Sequence, residues 1–203
     1  MGRRYLPILL LCAVLGGCST PGAFFGATEG PAFQSIAPSD GEHALVYLYR
    51  PQSQWADQEL EAPGIFLNKE LIGSLPSNGY QALEFEAASY KLEVRRPLFG
   101  SYWTLFADGP LDFTLVTSFA LDASAGRTYF LRYDELDPPP KNSEQPGAGN
   151  GPLQLVEESL GSQEITATRQ VKPIERVAAS GEVVRPQEGF WRGVGRVLDK
   201  IGI

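Results

Sequence analysis

With two cysteines and one histidine in 203 residues, the chain offers few side chains for nucleophilic or metal chemistry. Cys12 lies inside an apolar run over residues 6–15, and Cys18 follows that run after Gly16 and Gly17. His43 stands beside Glu42 at the start of a β-rich segment. A catalytic or metal role would need partners at defined geometry. The chain has no His-rich cluster, no Gly-x-Ser-x-Gly and no phosphate-binding loop, so His43 reads as a strand-edge residue. Glu84 and Glu86 lie two apart and would share a strand face. Paired carboxylates can act as an acid–base couple, but their alternation with Ala82, Leu83 and Phe85 reads as a solvated face. Asp134, Glu135 and Asp137 form an acidic strand end. A hard cation needs several convergent oxygens, and three near neighbours do not supply them. No catalytic residue, metal or cofactor is expected, and the chain is not expected to be an enzyme.

The chemistry that remains belongs to Cys18. Arg3 and Arg4 precede the apolar run, which is shorter than the ~20 residues a membrane-crossing helix needs. A basic start, an apolar core and small residues before a cut site make a secretory signal over residues 1–17. Leu15-Gly16-Gly17-Cys18 resembles the bacterial lipobox, in which the cysteine is acylated and becomes the mature N-terminus. Ordinary cleavage is the alternative; it would leave Cys18 as a lone thiol in an oxidising compartment. The expected product carries acyl chains, palmitate among them, on Cys18. Ser19, rather than aspartate, resembles the pattern sorted to the outer membrane, facing the periplasm.

Loss of the signal removes Cys12, so the mature chain has no disulfide and no cysteine–metal site. Its stability must come from an ordinary core. The 17 basic and 24 acidic side chains give a net charge of −7, which becomes −9 once Arg3 and Arg4 are removed. Such a surface disfavours nucleic acid and carries no motif for reading it.

The elements that must position these residues are mostly strands. Residues 18–42, rich in Gly, Pro, Ala and Ser, read as the lipidated N-terminus and a flexible tether, interrupted by Phe24, Phe25 and Phe33, for which packing on the domain and dipping into lipid are both open. Ordered structure is expected from His43. Residues 44–50 are apolar on both faces, as in a central strand, and Pro51 stops them. Residues 64–75 read as a hairpin about Asn68-Lys69-Glu70. Further strands are expected over 80–85, 90–94, 113–121, 128–133 and 153–156, with a short helix around 157–167. Many short strands with few helices predict a small, mainly antiparallel all-β sandwich over 43–170. A linker is expected over 171–189.

Two stretches stand apart. Phe99, Tyr102, Trp103 and Phe106 crowd one segment; they read first as core and second as an exposed aromatic docking patch. At the tail, Phe190, Trp191, Val194, Val197, Leu198 and Ile201 fall on one side of a helix over 190–203. Arg192, Arg196 and Lys200 stack as a basic ridge on the other side. Gly193 and Gly195 weaken this helix in isolation, by roughly 1 kcal/mol each, so it needs a surface to pack on. Its own sandwich, a lipid headgroup layer and a partner groove all remain open.

The strand motifs resemble one family. Ala44-Leu45-Val46-Tyr47-Leu48-Tyr49-Arg50-Pro51 is similar to the opening of a bacterial lipoprotein family called domain of unknown function 2846. The hairpin over 65–75, the Gly79-Tyr80 step and Gly126-Arg127-Thr128-Tyr129-Phe130-Leu131-Arg132 follow in that family's order. Asn68-Lys69 stands where Asp-Gly is common, and Ala88-Ser89 where Pro-Gly is usual. The resemblance covers roughly 43–157. It implies a transthyretin- or carboxypeptidase-regulatory-like sandwich on a lipid anchor, and it implies no reaction. The expected function is therefore a lipid-anchored envelope protein acting as a non-enzymatic structural or interaction module. Its partners would be the membrane, through the N-terminal lipid, and an envelope protein. The alternative is a periplasmic small-ligand or glycan-binding domain using the aromatic patch.

Overall fold

The computed structural model describes residue 28 and residues 30–59, 61–97, 113–136, 151–181 and 183–184. In chain order these form β1 (His43–Tyr49), α1 (Gln54–Asp57), β2 (Gly64–Leu67), β3 (Glu70–Ser74), β4 (Gly79–Glu86), β5 (Ala88–Pro97) and β6 (Phe113–Ala123). They continue with β7 (Thr128–Tyr133), β8 (Leu153–Val156), α2 (Glu158–Ile165), β9 (Arg169–Gln170), β10 (Glu175–Val177) and β11 (Val183–Val184). The strands build two sheets that do not close into a barrel. Sheet A runs β11-β10-β4-β1-β7-β8, with β9 also on β4, and sheet B runs β3-β2-β5-β6. This is the expected all-β sandwich, with most strand pairs antiparallel. Parallel pairing occurs where β1 meets β7 and where β4 meets β9 and β10.

β1 occupies the middle of sheet A, as its two apolar faces require. Ala44, Val46 and Leu48 point to sheet B and join Leu83, Phe85 and Leu131 against Ile65, Leu67, Leu92 and Val94. Burying a side chain of this size contributes roughly 1.5–3 kcal/mol. Leu45, Tyr47 and Tyr49 point the other way, into a second cluster with Tyr80, Phe130 and Ile165. That outer face is covered by α2 and by Phe33 and Ile36.

This covering corrects the expected tether. Residues 30–39 lie along sheet A rather than standing free of it. Phe33 sits edge-on to Tyr47 and Tyr80, each at 5.3 Å. Main-chain bonds run from Phe33 N–H to Thr168 C=O and from Gln170 N–H to Pro31 C=O. The outer face of β1 is aromatic and must be kept from water, and this segment supplies part of the cover. The linker expected over 171–189 is corrected as well. Its first part adds β10 and β11 to the sheet edge, where Val177 enters the core. Three- and two-residue strands are too short to show an alternation in sequence.

The β2–β3 hairpin turns on two residues, Asn68 and Lys69, with φ of 47° and 79°. Positive φ at both positions is the type I′ arrangement, which follows the twist of the strands. Asn tolerates it; Lys bears the cost of its Cβ. Lys69→Gly is therefore expected to stabilise the domain by about 1 kcal/mol, read as a raised urea midpoint with an unchanged slope.

Candidate functional site

Strand parity places two arginines at the same end of the sandwich. The alternation that sends Val46 and Leu48 inward also sends Arg50 inward, one residue past β1. On β5 the inward row of Tyr90, Leu92 and Val94 is followed by Arg96. One guanidinium thus comes from each sheet. Pro51 ends β1. Ser53 then caps α1, its Oγ accepting from Ala56 N–H at 3.1 Å. This short turn brings Trp55 and Glu59 over the open end of the core.

Glu59 sits between the two arginines. Its Oε2 accepts from Arg50 at 2.5 Å and its Oε1 from Arg96 at 2.8 Å. The side chains of Arg50 and Glu59 are 3 % and 8 % exposed. Glu135 accepts from Arg96 Nη2 through both oxygens, at 2.6 and 2.8 Å. The Tyr133 hydroxyl donates to Glu135. Burial raises the Tyr133 pKa, and the bond to Glu135 raises it further. Burial works against the charge of Arg96, but its bonds to Glu59 and Glu135 outweigh that and raise its pKa. Trp55, 37 % exposed, lies under both guanidinium groups, at 5.7 Å from Arg50 and 4.8 Å from Arg96. The ring of Tyr133 is 5.2 Å from Arg50. The arrangement closes the end of the core with fully paired charges.

A second network fixes α2 to sheet A. Glu164 accepts from the Tyr49 hydroxyl at 2.6 Å and from Arg132 at 3.0 Å, and Arg132 also reaches Asp134 at 3.1 Å. Burial, and then Glu164, raise the Tyr49 pKa. At the same end as Arg50, a polar cleft of about 450 Å³ is lined by Thr28, Gln52, Asp57, Ser77, Asn78 and Arg169 among others.

The carboxylates singled out from sequence turn out to be engaged. Asp134 pairs with Arg132 and Glu135 with Arg96, while Asp137 lies outside the described residues. No group of three His, Cys, Asp or Glu that could hold a metal occurs among the described residues. His43 Nδ1 lies 2.5 Å from Asp40, whose pKa is lowered by that bond. Glu84 and Glu86 share a face as expected, but Glu84 is not solvated. It is 5 % exposed, because residues 36–39 and β10 cross over it. Ser39 donates to it through N–H at 2.7 Å and Oγ at 2.8 Å, and Arg176 donates at 3.1 Å. Burial opposes its charge, but these donors prevail and lower its pKa below the ordinary carboxylate value. The stabilisation is therefore complete above the ordinary Glu range and is lost as pH falls through the lowered folded pKa. The urea midpoint is expected to drop between pH 6 and pH 3, and Glu84→Gln is expected to shrink that drop.

Cys18, the aromatic residues Phe99, Tyr102, Trp103 and Phe106, and the tail residues Phe190, Trp191, Arg192, Val194, Arg196, Leu198, Lys200 and Ile201 lie outside the described residues. Sequence reasoning missed the Arg50–Glu59–Arg96 network. The signal that could have found it is parity: extending each inward row by one step lands on an arginine.

No curated protein and no solved structure matches the chain. A family described as "Protein of unknown function (DUF2846)" matches residues 40–148. That match runs from the start of β1 to beyond β7, includes both arginines of the paired end and covers more than half of the chain. The chain is therefore a member of the DUF2846 family.

Proposed function

We propose that the chain is a lipid-anchored cell-envelope protein whose β-sandwich is a non-enzymatic structural or interaction module. The observation that carries this reading is how the ionisable side chains are used. Arg50, Glu59, Arg96 and Glu135 close one end of the core, and Arg132 and Glu164 fasten α2. A general acid, base or nucleophile must be free to change partners during a reaction; these groups hold one layer onto another. The lipobox-like string ending in Cys18 supports the anchor. Several acyl chains, at about 0.8 kcal/mol per buried CH₂, hold a protein firmly at a bilayer.

The test is fractionation of envelopes with labelled palmitate. The wild-type chain is expected in the outer-membrane fraction with label on its N-terminus, and Cys18→Ser is expected in the soluble fraction without it. An unlabelled wild-type chain would sink the anchor reading. The polar cleft beside Thr28 and Arg169 favours a second reading, a small-ligand or glycan-binding domain. A ligand bound there must raise the melting temperature, and Arg169→Ala should reduce that rise.

A further inference from the structure

We infer that the polar cleft at the Arg50 end binds a zwitterion, a short peptide with both termini free, its carboxylate on Arg169 and its ammonium on Asp57. This rests on the second reading above, a small-ligand site, and names the class of ligand. It does not depend on the lipid anchor.

The walls and floor of the cleft follow from the order of the strands. Arg50 N–H donates to Gly79 C=O at 2.9 Å, and Arg169 pairs with Gly79 from the other side. β1 and β9 thus flank the start of β4. The turn at Ser77 and Asn78, which leads into β4, is the floor between them. Beyond β1, Gln52 and α1 bring Asp57 to one wall. β9 brings Arg169 to the other. Two strand spacings separate the walls, about 10 Å.

Charge sets these walls apart from the two networks described above. There, Arg50, Glu59, Arg96 and Glu135, like Arg132 and Glu164, each face an opposite charge. Asp57 and Arg169 join no ion pair among the described residues. Asp57 accepts from Gln52 Nε2 at 3.1 Å, and Arg169 Nη1 donates to Gly30 C=O at 3.3 Å. Glu59 also lines the cleft, but its carboxylate is taken by Arg50 and Arg96. One carboxylate and one guanidinium are therefore left to a ligand, on opposite walls. Ser77 supplies an independent sign of one. Its Oγ is buried with no hydrogen-bond partner among the described residues, a state that costs free energy until a partner arrives.

The class of ligand follows from these groups. A neutral sugar would leave both charges unmatched, whereas a zwitterion matches both. Guanidinium and carboxylate meet through two parallel bonds, so Arg169 takes the carboxylate end. An extended peptide advances about 3.3 Å per residue, so about three residues carry its termini to both walls. The cleft volume of about 450 Å³ is within the range of small-ligand sites.

Titration calorimetry of the full-length chain in detergent with tri-alanine tests the inference. Binding is expected, and capping either terminus, as the N-acetyl form or the C-terminal amide, should weaken it about tenfold. Free alanine, whose charges are too close together to reach both walls, should bind no better than the capped peptides. Arg169→Ala should bind tri-alanine and its amide equally, and Asp57→Asn should bind tri-alanine and its acetyl form equally. Both side chains are exposed, so both variants should keep the wild-type urea midpoint. This crossed pattern is one that a folding defect would not produce. No binding of tri-alanine, or caps without effect, overturns the inference. Binding of a neutral oligosaccharide that depends on Arg169, without binding of tri-alanine, would also overturn it while leaving the small-ligand reading in place.

Discussion

Arg50→Ala is expected to destabilise the domain by about 3–5 kcal/mol, the range for breaking a buried ion pair from one side. Arg50 is 3 % exposed and donates both to Glu59 and to Leu75 C=O. Its removal leaves the buried Glu59 carboxylate to Arg96, and it takes the guanidinium off Trp55 and Tyr133. The cost comes chiefly from the abandoned charge. The double variant Arg50→Met, Glu59→Leu should therefore be closer to wild type than the sum of the two single changes, because no charge is then stranded between the sheets. Urea unfolding of the four chains gives the coupling. Strict additivity would show that the pair contributes no more than its separate contacts. Lys at position 50 is not a substitute, since the planar guanidinium lies over the rings of Trp55 and Tyr133.

The second large effect is expected at α2. A Cβ at Gly161 would lie 2.4 Å from both Cβ and Cγ of Phe130. Phe130 cannot yield, because it is stacked on Tyr47 at 5.2 Å within the outer cluster. Gly161→Val should therefore push the helix off sheet A and cost about 3 kcal/mol, the upper part of the range for overpacking. Gly161→Ala should cost less, since better helix propensity returns up to about 1 kcal/mol. The lifted helix also lengthens the bonds of Glu164 to Tyr49 and Arg132, so near-ultraviolet tyrosine signals should change together with the urea midpoint. Ser162→Ala, one residue on and exposed, is the control and should be close to neutral.

These two positions show how far the sequence could be read. The strands were legible because alternation is a local property: 44–50, 80–85, 90–94, 113–121 and 128–133 each sit inside or along an observed strand. The two-faced apolar character of β1 announced its central place. Gly161 had no such signal, because a glycine in a short polar helix takes its meaning from Phe130 across the gap. Glu59 was equally silent, since it lies in a loop and its role depends on Arg50 and Arg96 coming from different sheets. Residues 30–39 looked like a tether by composition, and only the aromatic face of β1 explains why they dock. The same holds for β10 and β11, whose pairing with β4 and with each other is set by the fold rather than by their own few residues.

The position of β1 bears on the order of folding. Its neighbours are β4 and β7, so Tyr47 pairs with Ala82 on one side and with Phe130 on the other. The nearest of these partners is more than thirty residues away and the other more than eighty. Non-local pairing of this kind slows folding, because loop closure must precede any gain from contact. A chain emerging N-terminus first exposes its most apolar strand long before Thr128 can arrive beside it. The topology thus keeps the chain unfolded through much of its synthesis. It also makes residues 44–50 the segment that most needs a chaperone before the sheet closes.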